Sequence, residues 1–150
     1  MELKLPPIIV FLLFALAMYL LSIVLPFGFF DFFGRLLMAK ILGGVSVAVA
    51  LVSLIQFFVK KTTVDPRKPN KATVLITKGI YKFSRNPMYF ALLVLLLAFG
   101  LVLGNAFNTL IAAGFVAYMN RFQVVPEERM LLDKFGKEYK DYLILTRRWF

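Results

Sequence analysis

The chain has no cysteine and no histidine. Without cysteine there is no disulfide and no thiolate chemistry. Together the two absences remove the usual zinc and haem ligands and the commonest general base. No metal is expected. Any chemistry must run on carboxylates, Arg, Lys, Tyr, amides and backbone, or on a bound cofactor. Acid is scarce as well: 8 Asp and Glu stand against 18 Lys and Arg, for a formal net charge of +10. In a soluble protein that balance would suggest nucleic acid. Here the bases gather in two blocks beside apolar segments, where they set topology and meet anionic headgroups. Membrane lipids are therefore the expected partners, and nucleic acid is not.

What the chain does have is apolar length. Hydrophobic residues make up 61% of 150 positions, more than a soluble domain of this size can bury. The first run, about residues 6–25, carries no charge and is long enough to cross a hydrocarbon core. A cleaved signal peptide competes with that reading, but the run is long for one and is followed by a poor small-residue cleavage site. The second run, about 36–59, places Lys40 where it can snorkel and offers Gly43, Gly44, Ser46, Ala48 and Ala50 for close helix packing. The third and fourth, about 88–103 and 106–122, are separated by Gly104-Asn105 and should form an antiparallel hairpin.

Between the second and third runs lies a polar loop, 60–87, with eight Lys and Arg against one acid, Asp65. Pro66 and Pro69 forbid a regular helix through its first half. Thr73 to Thr77 is a short apolar patch, read as extended and tucked against the bundle. After the fourth run, residues 126–150 are amphipathic. Met130, Leu131, Phe135, Tyr139, Tyr142 and Leu143 recur at helical spacing. Gly136 divides the stretch, which reads as an interfacial helix or a lid, with Arg147 to Phe150 at headgroup level. The expected fold is a single all-α membrane domain of about four transmembrane helices. It has a helical hairpin near the C-terminus and an amphipathic interfacial tail. The Lys and Arg distribution puts both termini, the 60–87 loop and the tail on the cytoplasmic side.

That topology brings Tyr81, Arg85, Asn86 and Tyr89 to face Arg121, Glu127 and Glu128 across one pocket. Each residue has a plainer reading too. Arg85 and Arg121 could be headgroup anchors, and Tyr81 and Tyr89 interfacial aromatics. Glu127-Glu128 could serve a helix N-terminus, and Asn86 before Pro87 is a normal N-cap. It is the ordered set that points to a site.

Two segments, Leu75 to Tyr89 (LITKGIYKFSRNPMY) and Pro126 to Tyr142 (PEERMLLDKFGKEYKDY), resemble the isoprenylcysteine carboxyl methyltransferase and phospholipid methyltransferase superfamily. The resemblance covers residues 72 to 149, about half the chain. It implies an integral-membrane enzyme that uses S-adenosyl-L-methionine and releases S-adenosyl-L-homocysteine. Position by position, it implies that Thr73, Val74, Leu75, Ile76, Gly79, Tyr81, Arg85, Asn86, Pro87, Met88 and Tyr89 surround the cofactor. Glu127 and Glu128 would close the pocket, Glu128 with a catalytic part, and Arg121 would orient the acceptor. Many relatives have His where this chain has Asn86, which can hydrogen-bond but cannot titrate.

The side-chain inventory suits such chemistry. Methyl transfer from a sulfonium is an in-line displacement served by alignment and exclusion of water. A carboxylate acceptor needs no base, whereas an amine must be neutral. An apolar acceptor tail could enter sideways from the bilayer. The alternatives are an NADPH-dependent, sterol-reductase-like membrane enzyme and a non-catalytic scaffold or channel subunit. The reductase would want a larger bundle, and the channel polar residues along its helices.

Overall fold

The computed structural model describes residues 3, 5–59 and 74–150. Thr73 and the proline-broken first half of the 60–87 loop lie outside them. Among the described residues every regular element is helical. Helix α1 is Pro7–Val24, α2 Arg35–Val59, α3 Pro87–Leu103 and α4 Asn108–Met119. Helices α5, Val125–Phe135, and α6, Lys137–Leu145, complete the set.

By length and composition α1 and α2 can each cross a membrane, and little of either is buried within the protein. Their outward faces are large and apolar, from Leu12 and Leu16 on α1 to Leu51 and Ile55 on α2. Contiguous surface of this kind needs an apolar medium. Helix α3 is shorter and sits at the centre, packed against α1, α2 and α4. It buries residues on several sides, including Ala91, Ala98 and Gly100, whose small size lets the neighbours approach. Ser46 on α2 donates to the Ala91 carbonyl at 2.7 Å. On the other flank Phe14 of α1 meets Phe115 of α4 edge-on at 5.6 Å.

Several expectations are corrected. Nothing lies within 4 Å of a Cβ built on Gly43 or Gly44. The buried stripe of α2 is Ala39, Ser46 and Ser53, at heptad spacing toward α3. Nor does the chain break after Phe122. Helix α4 runs through one π-helical turn, Asn120–Val124, directly into α5. Pro126 offers no N–H, and its ring crowds the carbonyl of Phe122; widening the preceding turn relieves that crowding without ending the rod. In the C-terminal strap, residues 147–150, Arg148 and Trp149 are half-buried while Arg147 and Phe150 stay exposed. The Trp149 indole packs on the core and donates to Asn120 Oδ1 at 2.9 Å.

The far end of the bundle is closed by the 25–35 connection. Arg35 donates to the carbonyls of Leu101 and Val102 at 2.6 and 3.1 Å, satisfying the last turn of α3. Gly104 follows at φ +66°, and a Cβ there would stand 2.3 Å from the Arg35 guanidinium. Gly104→Ala should therefore cost about 1–2 kcal/mol from left-handed strain alone, with more from the displaced arginine. A lowered Tm in detergent checks this, and an unchanged Tm would refute the account of the α3 terminus.

Candidate active site

The local chain around α3's first residue is shaped by backbone demands. Gly79 has φ +65° and begins a 3-10 turn, Gly79–Lys82. A side chain there would collide with Gln56 of α2, at 1.9 Å. With its amide oriented to suit both partners, Gln56 donates to Lys78 O (3.1 Å) and accepts from Ile80 N (3.2 Å). The turn is thereby fixed to α2. Tyr81 enters the interior beside Phe57, ring to ring at 5.6 Å, and its carbonyl accepts the Tyr142 hydroxyl at 2.5 Å. Pro87 then starts α3, where a missing N–H costs nothing.

Around this turn opens a cavity of about 460 Å³, within the ~300–1,000 Å³ common for small-molecule sites. Its walls come from the start of α1, the second half of α2, residues 74–76, the start of α3, and both α5 and α6. Val74, Leu75, Ile76, Tyr81, Arg85, Asn86, Pro87, Met88, Tyr89, Glu127 and Glu128 all line it. Gly79 supports the turn and does not line the cavity. Arg121 does not reach it either: exposed on the π-helical turn, its guanidinium lies over the Phe122 ring at 5.7 Å. The expected juxtaposition of Arg121 with the two acids fails because the rod continues through Pro126 and gives Arg121 a different face.

The two acids have separate surroundings. Glu128 Oε1 accepts from Arg85 Nη2 and Arg148 Nε, both at 3.1 Å, and its Oε2 accepts from Arg148 Nη2 at 2.7 Å. Arg85 also donates to the carbonyls of Leu143 and Thr146 at 2.8 and 2.5 Å. Glu127 instead accepts the Tyr89 phenol on Oε2 at 2.9 Å. It keeps some surface toward the cavity, yet the enclosing protein raises its pKa to about 7; burial is the main cause, the Glu128 charge adds to it, and the Tyr89 bond opposes it. Burial also pushes the phenols of Tyr81, Tyr139 and Tyr142 above the usual tyrosine range.

Asn86 occupies the N-cap position of α3 but makes no side-chain cap bond. Its Nδ2 donates instead to the Arg148 carbonyl at 2.8 Å, because the C-terminal strap runs alongside. Leu131, Phe135, Tyr139 and Tyr142 face the cavity. Their helical spacing was visible in the sequence; the medium they face was not. Gln56 and Arg148 carried no signal in sequence, since each acts through a partner distant along the chain.

The family profile for phospholipid methyltransferase matches residues 35–138. The chain belongs to this family. An uncharacterized protein of Haemophilus influenzae is 45% identical over 62 residues, 41% of this chain and 98% of that protein. Two proteins named protein-S-isoprenylcysteine O-methyltransferase are similar over shorter shares of their length. The one from Schizosaccharomyces pombe is 32% identical over 75 residues, half of this chain and 32% of that protein. The one from Dictyostelium discoideum is 37% identical over 70 residues, 46% of this chain and 29% of that protein. The chain thus spans about a third of the length of these two relatives. No solved structure matches significantly. Family membership and the exposed apolar helices together make this a membrane methyltransferase-family protein.

The raised pKa of Glu127 has a consequence for stability. The folded state holds this proton up to about pH 7, while the unfolded chain releases it near 4.5. Ionisation therefore destabilises the fold progressively as pH rises from about 4.5 to about 7, and by a constant amount above. Glu127→Gln should be more stable than the parent above pH 7, on the order of 1–3 kcal/mol. The gap should close toward pH 4.5. Parallel Tm-versus-pH curves for the two proteins would contradict the assignment.

Proposed function

We propose that this protein is an integral-membrane methyltransferase that uses S-adenosyl-L-methionine to methylate a lipophilic acceptor at the cytoplasmic membrane face. The observation that carries the reading is the cavity at the start of α3. Its walls are mostly apolar and aromatic, and among the described residues Glu127 meets a phenol hydrogen bond and no cation there. That donor set fits a cationic, partly apolar cofactor. An acid whose ionisation is opposed by burial gains most from a positive ligand. Residues 74–76 would give backbone and apolar contacts, and Tyr81 and Asn86 to Tyr89 the adjoining wall. Glu127 would meet the cofactor's polar or cationic groups.

When bound, the cofactor supplies an activated methyl group on a sulfonium and leaves as S-adenosyl-L-homocysteine. The chain's own part is to align, to exclude water and to manage a proton. Tyr139, Tyr142 and Phe135 cover the cavity from the α5–α6 side, which keeps water from the reacting atoms. For a carboxylate acceptor no proton need move. For an amine or thiol, Glu127 with a pKa of about 7 is poised to accept one. Arg121 stands outside the cavity, so Arg85 at its wall is the better candidate to face an acceptor anion.

In this reading α3 and the α4 rod also cross the membrane, giving four spans with both termini cytoplasmic. The acceptor's tail enters from the bilayer past the start of α1 and Ala50 of α2, both of which line the cavity.

Calorimetry of S-adenosyl-L-methionine with the detergent-purified protein tests the core of this. Saturable binding is expected, with S-adenosyl-L-homocysteine competing. Glu127→Ala should weaken it by at least about 10-fold, the cost of one charge-assisted hydrogen bond. Arg121→Ala should leave it unchanged. Absence of binding, with NADPH binding in its place, would overturn the proposal. For the acceptor route, Ala50→Trp should slow methylation of long-chain acceptors more than of short ones. Equal slowing of both would remove the lateral path.

A further inference from the structure

Helix α6 has two faces with different company. Its inner face carries Tyr139 and Tyr142 into the cavity. Its last turn exposes Ile144 at 78% and Leu145 at 82%, and nearby Phe83 is exposed at 65%. These three belong to one surface because the backbone ties their segments together. Arg85 N donates to Arg147 O at 2.9 Å, Ser84 bridges Arg147, and Thr146 Oγ1 reaches Lys82 O at 3.5 Å. Ser84 and Thr146 are buried beneath this pairing, so their neighbours Phe83 and Leu145 point outward.

Leaving three large apolar side chains in water forgoes the stabilisation that burying them would bring. The cations beside them indicate what covers the patch. Lys82 adjoins Phe83 and Arg147 follows Leu145 closely, both exposed. Further back on α6, Lys137 and Lys140 are offset by Glu138 and Asp141, so the positive excess lies at the apolar end. The patch also sits four residues before Pro87, where the central helix α3 begins, and hence at the level where that helix would enter a bilayer. Apolar side chains ringed by Lys and Arg at this level match an anionic leaflet surface.

We propose that Phe83, Ile144 and Leu145 seat in the headgroup–acyl boundary of an anionic leaflet, with Lys82 and Arg147 against its phosphates. This rests on the membrane reading above. It replaces the expected lipid contact through Leu131, Phe135 and Tyr139, which the cavity takes up. Since one face of α6 closes the cavity and the other meets lipid, the leaflet becomes an outer support of the cover.

The chain's lack of cysteine makes the test direct. Phe83→Cys, Leu145→Cys, Lys140→Cys and Leu51→Cys would each carry a nitroxide, in nanodiscs of phosphatidylglycerol with phosphatidylcholine. Collision with oxygen reports lipid and collision with a soluble nickel chelate reports water. Positions 83 and 145 should favour oxygen, like Leu51, while position 140 favours nickel. In pure phosphatidylcholine the labels at 83 and 145 should shift toward nickel. Nickel access at 83 and 145 equal to that at 140 would overturn the proposal, as would exclusion of both reagents, which would mean a protein cover such as a second copy. Equal depth in the two lipids would overturn the anionic preference. Nickel access at Leu51 would reject the membrane reading itself, a result distinct from failure at 83 and 145 alone.

Discussion

One carboxylate holds this architecture's working end together. Glu128 on α5 receives Arg85 from the segment before α3 and Arg148 from the C-terminal strap. Through Arg85 the same centre reaches the carbonyls that end α6. Three segments distant in sequence thus meet at one side chain that is 14% exposed. Removing the carboxylate would leave the largely buried Arg85 guanidinium without its anion, a situation that costs about 3–5 kcal/mol when a buried pair loses one partner; Arg148, more exposed, would lose less. The value of the cluster is positional. It sets α6 over the cavity, because Arg85 can satisfy the exposed carbonyls at the end of α6 only while Glu128 holds it there.

The rest of the bundle is arranged so that this end can form. Helix α3 is narrow where it meets α2, and Ser46 bonds directly to its backbone. That close approach brings Gln56, one face further along α2, to the 78–80 turn. The π-helical turn lets α4 pass into α5 without a break, and Glu127 and Glu128 therefore project from a rigid rod. A loop after Phe122 would have left their direction open. A proline that would ordinarily end a helix here sets the angle at which the acids enter the cavity.

The apolar runs were legible because length and hydropathy are local properties, and α1, α2 and α3 start and stop within a residue or two of them. The convergence of Tyr81, Arg85, Asn86 and Tyr89 with Glu127 and Glu128 was legible because a short hairpin leaves few places for its ends, whereas residues 74–76, Pro87 and Met88 were legible only through the family resemblance. What was hidden depended on partners far along the chain. Arg121 and Arg148 look alike in sequence, each a cation at the edge of an apolar stretch. Only the continuation of the rod through Pro126 turns one away, and only the pairing of 84–86 with 147–148 brings the other in. The apolar face of α5 and α6 had the same ambiguity, since periodicity shows that a face is apolar and not whether lipid or protein meets it. Gly43 and Gly44 carry a related ambiguity: a small residue permits close packing without requiring it, and within this chain's described residues no neighbour uses either.

The adjacent acids divide their labour by what already surrounds them. Glu128 is engaged by two guanidiniums, so its charge is compensated before any ligand arrives. Glu127 has no cation partner among the described residues and bonds to a neutral phenol. Burial therefore works against its charge, and the pKa of about 7 reflects that debt. A cationic group entering the cavity would relieve it and draw Glu127 toward the ionised form. An anionic group would do the opposite and hold the proton in place. Of the two acids Glu127 is thus the one whose state a ligand can change, while Glu128 keeps the walls in position as that change occurs. A single substitution at each should separate two properties that consecutive residues rarely separate, ligand affinity at the first and the order of the C-terminal cover at the second.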